Sequence, residues 1–225
     1  MSGRREVLEA VADHVARLDL GHPVRVGIDG VCGAGKTTFA RELASVVRAV
    51  GRPVIHLDSD GFHHVRDRRR RNAADPARGY YEDAYDLDAV ASRVLRPLGP
   101  GGDRRYAAAV HDLASDQVLD IDDLVADPDA VVLLDMTFLQ RGALRELWDE
   151  VVFLDVDHVV ATDRGVRRDA SALGGIEAAR SAWERRYMAA CQIYLAEEDP
   201  AARASVVIEH SHPQDPVLKR LGPAI

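Results

Sequence analysis

The run Val24-Arg-Val-Gly-Ile28-Asp29-Gly30-Val-Cys32-Gly33-Ala34-Gly35-Lys36-Thr37-Thr38 decides the fold. It opens on a short apolar segment, turns through three glycines and enters a stretch of helical periodicity over residues 37–50. Gly30 to Thr37 satisfies the pattern G-x-x-x-x-G-K-[ST], and it sits between a strand signal and a helix signal, where such a loop can wrap an anion. Glycines let the backbone turn its N–H groups inward, and the following helix adds its positive end. Lys36 can then reach the outer phosphates and the Thr37 hydroxyl can ligate magnesium. Gly30, Gly33, Ala34, Gly35, Lys36, Thr37 and Thr38 are therefore the candidate nucleotide-binding residues. For Cys32 a small side chain that the turn tolerates is sufficient explanation, with a redox handle as the alternative.

Lysine is scarce elsewhere. Of 29 basic residues only Lys36 and Lys219 are lysines. A coding bias toward arginine would produce this, yet one lysine survives inside the glycine-rich turn. A compact ammonium on a thin stem enters a narrow cavity that the wide guanidinium fork cannot.

Four further apolar runs, at residues 54–57, 131–134, 151–154 and 206–208, join 24–28 as five buried parallel strands. Each is followed at once by an acid: Asp29, Asp58, Asp135, Asp155 and Glu209. Ligands of open α/β sheets bind beyond the carboxyl ends of the strands, so some of these acids should face a shared crevice while others cap the next helix. Helical periodicity at 4–18, 37–50, 87–98, 159–169 and 176–195 fills the gaps. Strand–helix alternation predicts an α/β three-layer sandwich with a mainly parallel five-stranded sheet and right-handed crossovers, as a single domain over 1–225. After the turn-rich residues 95–103, segments 105–110 and 117–121 are expected to pair as a small hairpin, within about 104–122, able to cover a substrate. The tail from Pro213 carries too little pattern to read.

Composition removes several classes. The chain has 225 residues, 47% hydrophobic, with two cysteines, enough for one core and too few for a disulfide scaffold. The net charge of -8 argues against a general nucleic-acid binder. No window approaches the roughly 18 apolar residues of a spanning helix, and the first 20 residues alternate charged and apolar side chains, so no membrane association and a cytoplasmic location are expected.

Elimination narrows what a bound nucleotide is for. A guanine-reading N-K-x-D element is missing, since the only asparagine, Asn72, is followed by Ala73. The run 131–134 ends in Asp135-Met136, one acid where mechanical ATPases want two. A small-molecule kinase fits better. The second strand leads into His56-Leu-Asp58-Ser-Asp60-Gly-Phe62-His63-His64. A hydroxyl acceptor needs a carboxylate to orient it and take its proton. Asp60 is the chosen base and Asp58 the alternate, against an Asx turn using either as a cap. His63 and His64 read as loop histidines, and Asp135, the strand-end acid opposite the phosphate loop, as a magnesium ligand.

In order along the chain, Gly-Ala-Gly-Lys-Thr-Thr at 33–38, Asp-Gly-Phe-His at 60–63, Tyr-Tyr-Glu-Asp-Ala-Tyr-Asp at 80–86, Leu-Asp-Met-Thr-Phe-Leu at 134–139 and Arg-Gly-Val-Arg-Arg-Asp at 164–169 resemble the uridine kinase and phosphoribulokinase family of P-loop kinases. The resemblance runs from about residue 24 to 212. It implies ATP and Mg2+, with Asp60 as catalytic base and Asp83 contacting sugar hydroxyls of the acceptor. Tyr106 or His111, near the hairpin, would frame the acceptor. A lid at about 164–176 would bring Arg164 and Arg168 over the phosphates, with Arg167 beside them; spacings of three and four place two on one face. Arginine suits this because its fork binds phosphate oxygens bidentately. Residues 66–71, five of six arginine, read instead as a mobile solvated loop. Trp148 and Trp183 read as core, with Trp183 also near enough to the lid to stack on a base.

Three departures bear on the acceptor. Gly165 stands where uridine kinases have another lid arginine, residues 170–175 lack the later one, and Ala182 replaces a polar residue. The expected activity is ATP-dependent phosphorylation of a hydroxyl on a small-molecule acceptor, uridine or cytidine first. A pantothenate-like alcohol, a sugar, or a non-catalytic nucleotide-binding module are the alternatives, and a homo-oligomer is left open.

Overall fold

The structure, a computed structural model, describes residues 3–222, so the expectation of one domain over 1–225 runs past the described residues at both ends. Its centre is a sheet of β1 (Val24–Gly30), β2 (Val54–Asp58), β3 (Val131–Asp135), β4 (Glu150–Asp155), β5 (Val206–Glu209) and β6 (Val217–Leu221). The order across the sheet is β6-β5-β4-β1-β3-β2. The first five run parallel, as expected, and β1 and β3 are buried at every position, which is what their unbroken apolar runs require. The expected five-stranded sheet gains a sixth, antiparallel strand: β6 adds to the edge beside β5. It is largely exposed and carries charged side chains, so it has no apolar run by which to be recognised.

Helices flank the sheet: α1 (Arg4–Ala16), α2 (Lys36–Ala49), α3 (Pro76–Asp83), α4 (Leu87–Val90, continued by a π turn at Ala91–Leu95), α5 (His158–Asp169), α6 (Ile176–Ala182) and α7 (Met188–Glu198). α2 buries Phe39, Ala40, Leu43, Ala44 and Val47, one helical stripe, against the sheet and α1. Its amino end is therefore fixed beside the end of β1. α5 is started by Asp157, whose carboxylate accepts the Val159 and Val160 N–H groups at 2.9 and 3.1 Å. α6 and α7 are joined by a π turn at Trp183–Tyr187, which directs Trp183 into a small core with Val166 and Ala179. No helix among the described residues is long and apolar enough to cross a membrane.

The expected hairpin is corrected. His111–Asp112 does pair with Gln117–Val118, but Arg105–Tyr106 pairs with Leu124–Val125 instead. The result is two ladders of two residues each, with Ala107 N–H donating to the Arg93 carbonyl. Alternating patterns this short leave register to turns and neighbours.

Candidate functional site

Parallel register brings Ile28 and Asp58 to either side of Asp135 at the carboxyl end of the sheet. Asp135 is buried, and its two oxygens are taken by different elements. Thr37 Oγ1 donates to Oδ2 at 2.6 Å, and His56 Nε2 lies 2.7 Å from Oδ1. Of the five strand-end acids, Asp135 alone joins the phosphate loop to β2. Asp58 accepts the Asp60 N–H at 3.0 Å and so caps the 3-10 turn that follows, while Glu209 accepts the Ser211 N–H at 2.9 Å in a loop that no helix follows. Asp155 is exposed.

Asp29 lies inside β1, fully buried beneath the loop. It accepts from Gly30 N–H at 2.7 Å, Tyr194 O–H at 2.6 Å and Gln140 Nε2 at 2.9 Å. Burial pushes its carboxyl above the usual range, opposed by those three donors. The loop above it is strained in the way glycine permits: Gly33 and Gly35 have φ of 79° and 92°. A Cβ at Gly33 would stand 2.3 Å from the Ala161 carbonyl oxygen, so this turn is pressed onto α5. The far side is held by His210 Nδ1, 2.9 Å from the Ala34 oxygen. Lys36 Nζ donates to the Gly30 and Val31 carbonyls, both at 2.9 Å, and to Thr137 Oγ1 at 2.8 Å. Three short bonds converge on one nitrogen, a site sized for an ammonium and not for a guanidinium.

These residues fit a nucleotide with magnesium. The Thr37 hydroxyl and Asp135 carboxylate are adjacent hard oxygen donors at the loop mouth. Among the described residues no three His, Cys, Asp or Glu side chains converge as a metal cage. A magnesium held here would therefore draw on phosphate oxygens as well as on Thr37 and Asp135.

On the opposite bank, Asp60 lies in a 3-10 turn, Ser59–Phe62, with its side chain 71% exposed. Burial of the remainder, then the charges of Asp58 and Asp135, push its carboxyl up, while Arg168 pulls it down. The chosen base thus stands within the field of the magnesium candidate and of a lid arginine. His63 Nε2 is 3.8 Å from Asp60, but burial drives the His63 pKa down to about 4, so it brings no charge near neutrality. The His63 ring stacks on Tyr85 at 4.4 Å and its Nδ1 lies 2.8 Å from the Ala84 oxygen. The segment around Asp60 is thereby tied to the Tyr80–Asp86 motif.

Asp83 is buried and engaged by Arg71, with Nε donating at 2.7 Å, and more loosely by Arg68 at 3.7 Å. The run 66–71 is mostly solvent-exposed, as expected, but it carries a helical turn and defined ion pairs. Arg66–Arg69 forms one helical turn, Arg69 donates to the His64 carbonyl at 2.7 Å, and Arg69 pairs with Asp116 at 3.1 Å. Its arginines answer acids from later segments, which no local pattern discloses. His111 is buried at the floor of a cavity of about 520 Å³ that also includes His63, His64, Arg68 and Asp86. Tyr106 is buried in register with Leu124, on the side of α4, and is not among that cavity's lining.

The lid arginines part company. Arg168 is exposed, pairs with Asp169 at 2.7 Å, lies over the Trp183 ring at 5.8 Å and acts on Asp60. Arg164 points the other way, donating to the carbonyls of His210 and Ser211. Gly165 has a packing cause: a Cβ there would stand 1.9 Å from the Trp183 ring. Trp183 occupies the room a side chain at 165 would need, and it is core, with its N–H on Asp169 at 3.0 Å.

Sequence reasoning passed over Thr137, His56, Gln140, Tyr194 and His210. Thr137 and His56 stand inside motifs already conspicuous, two positions from Asp135 and Asp58. Tyr194 and His210 act across more than 160 positions, and no local signal marks them.

Residues 25–213 match the model of the phosphoribulokinase / uridine kinase family. A uridine kinase of Brevibacillus brevis is 27% identical over 155 residues, covering 67% of this chain and 68% of its own. A structure from Bacillus stearothermophilus described as a possible uridine kinase superposes with a TM-score of 0.70 at 22% identity, covering 90% of this chain and 97% of that one. A D-glycerate 3-kinase from Cryptococcus neoformans does so at 0.54 and 13%, covering 84% and 87%. Such distant structural likenesses show the fold alone.

Proposed function

The chain belongs to the phosphoribulokinase / uridine kinase family of P-loop kinases, and from that premise we propose that it transfers the terminal phosphoryl group of ATP to a hydroxyl of a small acceptor, uridine or cytidine first. The observation that carries this reading is the placement of Asp60. Its exposed carboxylate sits in the fields of Asp135 and Arg168, in the turn just past β2, the strand that pairs with β3 and so with Asp135.

In this reading the N–H groups of residues 30–38 hold the phosphates, and Lys36 trades its contacts to the Gly30 and Val31 carbonyls for phosphate oxygens. Thr37 and Asp135 would hold Mg2+, which when bound neutralises charge on the phosphate oxygens. His56 fixes the orientation of Asp135. Asp60 accepts the proton of the acceptor hydroxyl as the O–P bond forms, and its raised pKa suits it to receive that proton. Asp83, released by Arg71, orients the acceptor, and His111 frames it in preference to Tyr106. Arg168 covers the migrating group, while Arg164 holds α5 to the end of β5.

The Gly165–Trp183 contact favours a second acceptor class, since the arginine that uridine kinases carry there has no room. An ATP-consumption screen over nucleosides, pantothenate and simple sugars tests both. Fastest turnover with uridine or cytidine is the expected result. Turnover confined to a sugar or a pantothenate-like alcohol moves the acceptor and leaves the chemistry, and nucleotide binding without turnover on any acceptor would identify a non-catalytic module.

A further inference from the structure

Of the lid arginines, Arg168 acts on Asp60, whereas Arg164 donates to the carbonyls of His210 and Ser211, and a side chain at 165 has no room beside the Trp183 ring. Phosphoryl transfer spreads charge over three equatorial oxygens, more than one guanidinium fork covers. The next element offers a second fork. The π turn Trp183–Tyr187 inserts an extra residue between α6 and α7 and re-aims the side chains it carries. Trp183 enters the small core with Val166 and Ala179, and Arg186 comes over two tyrosine rings, 5.4 Å from the centre of Tyr80 and 5.6 Å from that of Tyr187.

Arg186 differs from the arginines around it. Arg71 and Arg68 pair with Asp83 and Arg69 pairs with Asp116, but among the described residues Arg186 meets no carboxylate. Its one bond to the protein is long, from Nη2 to the Arg69 carbonyl at 3.3 Å, and its Nε is buried with no acceptor. A guanidinium is always charged, and a buried donor left unpaired costs free energy that an incoming oxyanion would recover. Tyr80 and Tyr187, packed edge to face at 5.0 Å, hold the fork in place. That place lies between the two banks. The Tyr80 hydroxyl reaches the phosphate loop, 3.9 Å from Cys32 Sγ, and Arg168 lies within electrostatic reach of the same Tyr80 and Cys32. Arg186 is not part of the wall of the 520 Å³ cavity around His111, so it stands beside the group in transit and not around the body of the acceptor.

We propose that Arg186 is a catalytic residue of this chain, closing with Arg168 on the oxygens of the phosphoryl group as it passes from ATP to the acceptor, an inference that rests on the kinase reading. In that step the bond from the acceptor oxygen to phosphorus forms and the bond from that phosphorus to the bridging oxygen of ADP breaks. The hydroxyl proton goes to Asp60 and the electron pair leaves on ADP. Arg186 gives up only its long bond to Arg69, and in return Nε and one Nη bind two phosphoryl oxygens side by side.

Arg186→Ala and Arg186→Lys test this by steady-state kinetics, thermal unfolding and calorimetric titration with ADP and magnesium, with and without aluminium fluoride as a mimic of the group in flight. In Arg186→Ala, kcat should fall by roughly 100-fold or more while KM for ATP and for the acceptor stays within about threefold. Its Tm and its affinity for ADP alone should match the native chain, and the tightening of ADP by aluminium fluoride should shrink by roughly tenfold or more. Arg186→Lys keeps the charge and loses the fork, so it should recover part of kcat; if the alanine variant does not fold, a lysine variant with kcat still lower by roughly tenfold decides. A fall in Tm with the aluminium fluoride effect intact makes Arg186 a packing residue, and a rise in acceptor KM with kcat unchanged places it on the acceptor; either overturns the proposal. Transfer at the native rate in Arg186→Ala overturns this role alone. A native chain that transfers phosphoryl to no acceptor overturns the kinase reading, and the role with it.

Discussion

Around Asp29 and Asp135 each carboxylate oxygen is taken by a donor within 2.9 Å, whereas Asp60, at the end of the neighbouring strand, has its nearest ionic contact at 3.8 Å. The nucleotide bank rests on long buried strands and on bonds that join distant parts of the chain. The bank proposed for the acceptor is built from a 3-10 turn, one-turn helices and ladders of two residues, and its arginines and acids pair with one another. The contrast separates two tasks. Charge that must be held in one place is set in a rigid, saturated frame. In the proposed function, recognition of the acceptor falls to pairs that ligand contacts would replace, which is where relatives with one fold can differ.

That contrast can be broken most forcefully at Gly165. Gly165→Arg, which restores the arginine found in uridine kinases, should overpack the Trp183 pocket and cost roughly 3 kcal/mol, seen as a fall in Tm. An unchanged Tm with tighter nucleotide binding would mean that Trp183 yields and the lid is as adaptable as the acceptor bank. Next in size, Tyr194→Phe should cost about 2 kcal/mol by removing one of the donors to the buried Asp29 carboxylate, measured by thermal or urea unfolding. No loss would show that the nucleotide bank is less saturated than its geometry implies. The smallest effect is a shift of a pH profile. Asp60 must be ionised to act as base, and the Asp58 charge helps to raise its pKa, so activity declines as pH falls through that raised value. Asp58→Asn removes the repulsion and keeps a side-chain oxygen for the Asp60 N–H, so the acid limb of kcat/KM should move to lower pH. A limb that stays where it is would assign it to another group.

The same division explains what could be read in advance. The five parallel strands, the phosphate loop and the Thr37–Asp135 pair follow from local pattern, because buried strands are continuous apolar runs and the loop needs glycine at fixed offsets. β6 is illegible because its apolar residues, Val217, Leu218 and Leu221, are interrupted by Lys219 and Arg220, and an exposed antiparallel edge strand needs no continuous apolar run. The pairing of Arg105 with Val125 and of Arg71 with Asp83 depends on neighbours supplied by the tertiary fold, and so does the turning of Arg164 away from the cleft. Gly165 could be noticed as a departure, but only Trp183, eighteen positions later, gives its reason.

The central claim is that Asp60 takes the acceptor's proton across from a phosphate cradle centred on Lys36. Asp60→Asn, assayed for both ATP affinity and phosphoryl transfer, tests it directly. ATP affinity should stay within about twofold of the native value while turnover falls by roughly 100-fold or more. Turnover that survives the substitution would contradict the account.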